Sequence, residues 1–349
     1  MASSQTARPG HLRIATEEAW ATREMLDLYR RALAENTISD PGFKSLWGFY
    51  LGSKSPRATF IIDRLQEMGE PRIQDMDKTG IDKQILMLTS PGVQVFDAAT
   101  AVTVAAASND ELAEHVRKYP TRYVGMAAIA PQNPKEAAKE LERAVRKLGF
   151  KGAVINSHTM GEYLDDPKFW DIFAAAEALD VPIYIHPNSP PKEMIEPFLR
   201  RGLDGAIYGF GVDTGMHLLS IMTSGAFDRF PQLQIAVGHC GEALPFWLFR
   251  LDYMHRATVS SKRYDFMKPT KKTIFQYMRE NVYVTNSGVA WAPAIQFCQQ
   301  VLGMDRVMYA MDYPYQFVAE EVGEMERSTL SAADQKMFYQ TNAEKVFGL

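Results

Sequence analysis

Glu17, His186 and Asp312 lie far apart in the chain, yet each closes a short apolar run: LRIATE, PIYIH and VMYAMD. Two carboxylates and one imidazole brought together form a donor set for a divalent cation. Such a set leaves positions open for water or substrate, as catalytic sites do and structural sites do not. The alternative is that each side chain hydrogen-bonds a neighbouring loop; the shared placement of all three favours the cation. Glu18 follows Glu17 directly and, because strand neighbours alternate faces, is expected to point away as a structural partner.

His239 sits in VGHCGEALP, where the flanking glycines allow a sharp turn into a helix that Glu242 is expected to begin. An imidazole whose tautomer a carboxylate fixes can move a proton at neutral pH; a histidine satisfied by a backbone carbonyl is the competing reading. Cys240 has no neighbour that would stabilise a thiolate and reads as a small buried residue. Arg57 follows Trp47, Phe49 and Tyr50. That grouping suits an aromatic acid, with the guanidinium clamping a carboxylate and the rings stacking, and it equally suits a solvated arginine beside rings that pack one another. Tyr315, just past Asp312, stands alike, whereas Arg250 beside Asp252 suggests an intrahelical or intersubunit salt bridge. Asn156, His158 and Asn286 also follow apolar runs, and His11, His115, His217 and His255 are expected to have no catalytic part.

Eight such runs recur, at residues 12–17, 84–89, 123–129, 152–156, 182–186, 234–239, 282–286 and 307–312. A repeat of about 42 residues fits one strand, one helix and two loops, and eight units predict an α/β fold, the (β/α)8 TIM-type barrel, in which residues at the C-terminal strand ends share one mouth. Residues 134–148 and 166–179 have the periodicity and first-turn prolines of barrel-wrapping helices, with Gly149 ending the first and Asp166 capping the second. Residues 18–83 break the period: a helix-like stretch near 21–35 and the segment SLWGFYLGSKSPR form a long insertion expected to cover the site. GFGVDTG at 209–215 reads as loop geometry, and GxGxxG is absent after the first strand, so no organic cofactor is expected. The whole chain, 1–349, is expected to form a single barrel domain.

Composition agrees. The chain has 349 residues, 46% of them apolar and 23% charged, with a net charge of −4 and no basic block. These are the proportions of a folded protein that does not bind nucleic acid. No apolar run is long enough for a membrane span, and MASSQTARPG lacks the core of a signal peptide. Two cysteines without a CxxC pair fit a reducing cytoplasm.

In order along the chain, LRIATEEA, SLWGFY, LTSPGVQ, INSHT, YIHP, GFGVDTGMHLL, GHCGEALPFWLFRLDYMH, VTNSGVAW and VMYAMDYPYQ resemble the amidohydrolase superfamily, in its branch of metal-dependent, non-oxidative aryl-acid decarboxylases. Where hydrolytic members carry His-x-His on the first strand, this chain has Glu17 and Ala19. The resemblance therefore implies one metal ion in place of a binuclear site. It implies Glu17, His186 and Asp312 as ligands, Asp312 as proton carrier, His239 and Glu242 in the active site, and Tyr50, Arg57 and Tyr315 as substrate contacts. Arg250 would reach the substrate of a neighbouring subunit in a homo-oligomer, a dimer or tetramer. The oxygen-rich ligands favour manganese, with zinc possible. The expected substrate is an ortho-hydroxy aromatic acid, decarboxylated by protonation of the ring carbon before the C–C bond breaks. The rivals are a metal-dependent hydrolase, a lactonase or amidase, and a decarboxylase acting on a dihydroxybenzoate.

Overall fold

Each of the eight runs contains strand in the computed structural model, which describes residues 10–349. The expectation about a leader rests on a segment whose first nine residues lie outside the described residues. The strands are β1 (Ile14–Trp20), β2 (Lys83–Leu88), β3 (Tyr123–Gly125), β4 (Ala127–Ala128), β5 (Ala153–Asn156), β6 (Ile183–His186), β7 (Ile235–Val237), β8 (Val282–Thr285) and β9 (Val307–Met308). All pair in parallel and in chain order, as β1-β2-β3 and β4 through β9. The third expected strand is split at Met126. The break is small: Met126 N–H donates to Leu86 O (2.9 Å) and Ala127 N–H to Gly152 O (2.8 Å), so the segment bridges both neighbours. On the far side, Thr16 N–H donates to Tyr309 O (3.1 Å) and Ala19 N–H to Tyr313 O (2.7 Å), joining β1 to the segment after β9. The architecture is the (β/α)8 barrel.

Strand side chains alternate inward and outward. Ile14, Ile85, Met87, Val124, Met126, Val154, Tyr184, Ala236, Tyr283 and Met308 pack into one interior cluster, which Ala343 and Phe347 join from the C-terminal helix. Two residues further along come His186 and Thr285, at the ends of β6 and β8, with Gly238 just past β7, so polar side chains begin above the apolar cluster. β1 runs past its expected end at Glu17, because Ala19 and Trp20 still pair with Met87 and Leu88. Its register slips between Ala15 and Glu18. Glu18 leaves the interior to accept hydrogen bonds from Met311 N (2.9 Å) and Tyr313 N (3.1 Å), the structural part expected of it.

Four helices fill the stretch between β1 and β2: α1 (Arg23–Glu35), α2 (Pro41–Gly52), α3 (Pro56–Gln66) and α4 (Glu70–Thr79). Asp40-Pro41 and Ser55-Pro56 start α2 and α3, each cap accepting a backbone N–H while the proline fills a position that needs no donor. Trp47 is buried and donates Nε1–H to Ser90 O (3.1 Å), and the Tyr29 hydroxyl donates to Gly92 O, pinning these helices to the loop after β2.

Residues 134–148 form a helix to Arg143 and a π turn to Leu148, ended by left-handed Gly149. Asp166 caps a short 3-10 turn that leads into the helix Trp170–Leu179. GFGVDTG is a correction: it forms the first turns of the helix Gly209–Ser224. Its glycines permit close packing, since a Cβ on Gly209 would come within 2.6 Å of the Asp204 carbonyl oxygen, and one on Gly211 within 2.9 Å of Glu242 Oε2. Among the described residues no helix is long and apolar enough to cross a membrane.

Glu18→Ala would leave two buried N–H groups without acceptors at the point where the first and last strands meet. A loss of about 2–4 kcal/mol of stability in urea denaturation is expected.

Candidate metal centre

Glu17, His186 and Asp312 converge: each offers one donor atom, and the three atoms lie within 4.8 Å of one another. His186 closes β6, where its Nδ1–H donates to Pro187 O (2.9 Å), leaving the Nε2 lone pair facing Glu17 Oε1 at 3.4 Å. Burial lowers its pKa, so the ring is held neutral, the form that binds metals. Glu17 Oε2 accepts from the Tyr184 hydroxyl, while Oε1 is buried without any hydrogen-bond partner. Asp312 follows β9 in a left-handed conformation (φ 73°). Burial, and then the negative charge of Glu17, push its carboxyl well above the usual range. An orphaned carboxylate oxygen beside a second, destabilised carboxyl and a free imidazole nitrogen is what a divalent cation would satisfy. The residues fit such an ion.

His239 also approaches Glu17, its Nε2 3.7 Å from Oε1, and its Nδ1 lies 2.9 Å from Glu242 Oε1. His239, Cys240, Gly241, Glu242 and Ala243 are all left-handed, with φ from 53° to 73°. Such a turn cannot continue as a right-handed helix, so the helix begins only at Leu244 and Glu242 belongs to the turn before it, contrary to expectation. The reversal brings the carboxylate back onto the imidazole. Burial pulls the His239 pKa down, but Glu242, Glu17 and Asp312 together outweigh it and lift it to about 10. A Cβ on Gly288 would lie 3.3 Å from His239 Cδ2 and 3.6 Å from Asp312 Oδ2, so the glycine lets both side chains approach the backbone closely.

Tyr50, Arg57 and Tyr315 also come together. The Tyr50 and Tyr315 rings lie 5.8 Å apart, Arg57 Nη2 donates to Tyr315 O (3.0 Å), and the Tyr315 hydroxyl bonds Thr89 Oγ1 (2.6 Å). Arg57 is exposed and its positive charge acts on Asp312. Arg250 stands apart, exposed on the helix Leu244–Ser260 and paired with no carboxylate among the described residues. The expected partner, Asp252, instead accepts from Phe275 N–H (3.2 Å).

Asn286 and His158 secure loops, Asn286 Oδ1 accepting from Ala310 N (3.0 Å) and His158 Nε2 donating to Ser189 O (2.9 Å). Cys240 is buried beside Cys298, whose hydrogen bond and the burial raise its pKa, as suits an unreactive thiol. Sequence reasoning missed Tyr184, Gly238, Thr285 and Gly288. The first could have been found by stepping back two residues from His186 on its strand.

Residues 54–349 match the family model described as amidohydrolase. A 5-carboxyvanillate decarboxylase from Novosphingobium aromaticivorans, solved with manganese and 4-hydroxy-3-methoxy-5-nitrobenzoic acid, is 60% identical over 97% of each chain, with a TM-score of 0.96. The 5-carboxyvanillate decarboxylase of Sphingomonas paucimobilis is 38% identical over 97% of this chain and 99% of its own, with a TM-score of 0.91. The γ-resorcylate decarboxylase of a Polaromonas species (strain JS666) is 36% identical over 91% of this chain and 98% of its own length.

Glu242→Gln removes the carboxylate that contributes most to raising His239. In the metal-free protein the imidazole pKa should fall below about 10, read from the ring resonances in an NMR titration.

Proposed function

This chain belongs to the amidohydrolase family, in its branch of metal-dependent aromatic acid decarboxylases, and on that premise we propose that it converts 5-carboxyvanillate to vanillate and carbon dioxide. The observation that carries the reading is the oxygen-rich donor set of Glu17, His186 and Asp312 at the barrel mouth. The greater likeness to the 5-carboxyvanillate enzymes than to the γ-resorcylate enzyme supports this substrate.

Glu17, His186 and Asp312 hold one divalent ion, manganese in preference to zinc, and no organic cofactor takes part. When bound, the ion supplies positive charge that lowers the pKa of an adjacent hydroxyl and offsets the two carboxylates. Direct cleavage of the aryl–carboxylate bond would leave an electron pair orthogonal to the ring π system, so protonation must come first. Asp312 takes the proton of the substrate hydroxyl and delivers it to the ring carbon that bears the carboxylate. The C–C bond then breaks, its electrons restore the aromatic ring, carbon dioxide leaves, and the product hydroxyl regains a proton from solvent. His239, held by Glu242, presents Nε2–H to orient the substrate. Arg57 holds a substrate carboxylate at the mouth, and Tyr50 and Tyr315 contact the ring.

The helix Leu244–Ser260 exposes Phe246 (69%), Phe249 (86%) and Tyr253 (59%) around Arg250. Isolated exposed apolar residues are ordinary, but a cluster of aromatic ones marks an interface. We propose that a second copy of the chain covers this face in a homo-oligomer, a dimer or a tetramer, bringing Arg250 to the neighbouring site. The unpaired thiols of Cys240 and Cys298 support a cytoplasmic setting.

Incubation with 5-carboxyvanillate and manganese should yield equal amounts of vanillate and carbon dioxide, and a chelator should stop it. Turnover of 2,6-dihydroxybenzoate alone would move the substrate assignment, and hydrolysis without carbon dioxide would overturn the reaction. Asp312→Asn should keep the fold and lower kcat by roughly 10²-fold or more. Arg57→Ala should act mainly on KM, raising it roughly tenfold or more. Phe249→Asp should reduce the assembly size measured by light scattering.

A further inference from the structure

The barrel interior is apolar up to Tyr184, whose side chain is fully buried in the interior cluster and whose hydroxyl is its polar tip. That hydroxyl meets Glu17 Oε2 on one side and Thr285 Oγ1 (3.1 Å) on the other. Thr285 Oγ1 accepts the Ser287 N–H at 3.3 Å. A hydroxyl carries one hydrogen, and a carboxylate can only accept. The order of donation is therefore fixed: Ser287 N–H to Thr285, Thr285 to Tyr184, Tyr184 to Glu17 Oε2. On its other side Oε2 lies against Gly238, where any Cβ would collide with it. One oxygen of Glu17 is thus held between a donor and bare backbone, and the other, Oε1, faces His186 Nε2 without a partner of its own.

We infer that Tyr184 is a positioning residue for the metal centre: by engaging Oε2 it commits Oε1 to the cation and sets the affinity of the site. The inference rests on the reading above in which Glu17 is a ligand. Groups that orient metal ligands from behind change affinity by 10- to 100-fold when removed. Thr285, which completes the donation to Tyr184, contributes less because its loss leaves the Tyr184–Glu17 bond in place.

The test is calorimetric titration of the metal-stripped full chain with manganese, together with the electron paramagnetic resonance spectrum of the bound ion. Wild type should bind one ion; if it does not, the metal reading itself fails and Tyr184 is not in question. Given binding by wild type, Tyr184→Phe should weaken affinity by about 10- to 100-fold and change the zero-field splitting, with circular dichroism unaltered. Thr285→Val should weaken it by about 2- to 10-fold. Affinity within about twofold of wild type and an unchanged spectrum in Tyr184→Phe would overturn the inference. Should Tyr184→Phe fail to fold, Thr285→Val decides: weakened binding supports the inference, and wild-type affinity overturns it.

Discussion

Two carboxyl groups, Glu17 and Asp312, share a desolvated pocket at one end of a closed apolar barrel. Burial and like charge oppose having both ionised, and Asp312 is accordingly driven well above its usual range. A cation resolves the conflict, and much of the surrounding structure maintains it. The slip in β1 turns Glu17 inward and Glu18 outward, bare backbone at Gly238 admits the Glu17 carboxylate, and the Pro187 carbonyl holds His186 in the tautomer that offers Nε2. Burial and the charge of Glu17 raise the Asp312 carboxyl, and in the proposed mechanism the same group carries the proton.

The backbone stores strain next to this pocket. His239, Cys240, Glu242 and Ala243 are left-handed without being glycine, at a cost of about 1–2 kcal/mol each. Such conformations persist only where their surroundings hold them. Here the surroundings are visible: Cys298 donates to Cys240 O, Gly211 leaves room for the Glu242 carboxylate, and Gly241 packs against Val284, Met278 and Pro245. The return is an imidazole clasped by a carboxylate three residues away, which no ordinary strand-to-helix connection would provide.

The barrel was legible because apolar runs ending in polar residues are what parallel strands with a shared mouth must look like. Glu17, His186 and Asp312 were legible for the same reason; strand alternation told that Glu17 and Glu18 face opposite ways, but the slip in β1 decides which of them faces inward. Other features were not. GFGVDTG resembles a loop because local propensity penalises glycine in helices, whereas close contacts with Asp204 and Glu242 decide the matter here. Glu242 reads as a helix start because nothing in GHCGEA announces a run of left-handed residues. The intrahelical form of the Asp252–Arg250 pair does not appear; Asp252 Oδ1 instead accepts a backbone N–H from another element. Tyr184 was overlooked because a tyrosine amid isoleucines reads as core, and only its hydroxyl partners distinguish it.

In the proposed mechanism the ion-binding and proton-carrying groups stand at strand ends, whereas Tyr50 and Arg57 come from the helices inserted between β1 and β2. The most direct measurement of the central claim is anomalous diffraction at the manganese edge from crystals grown with that metal. A single peak within bonding distance of Glu17, His186 and Asp312 is the predicted result. A peak bound elsewhere, or none at the barrel mouth, would contradict it.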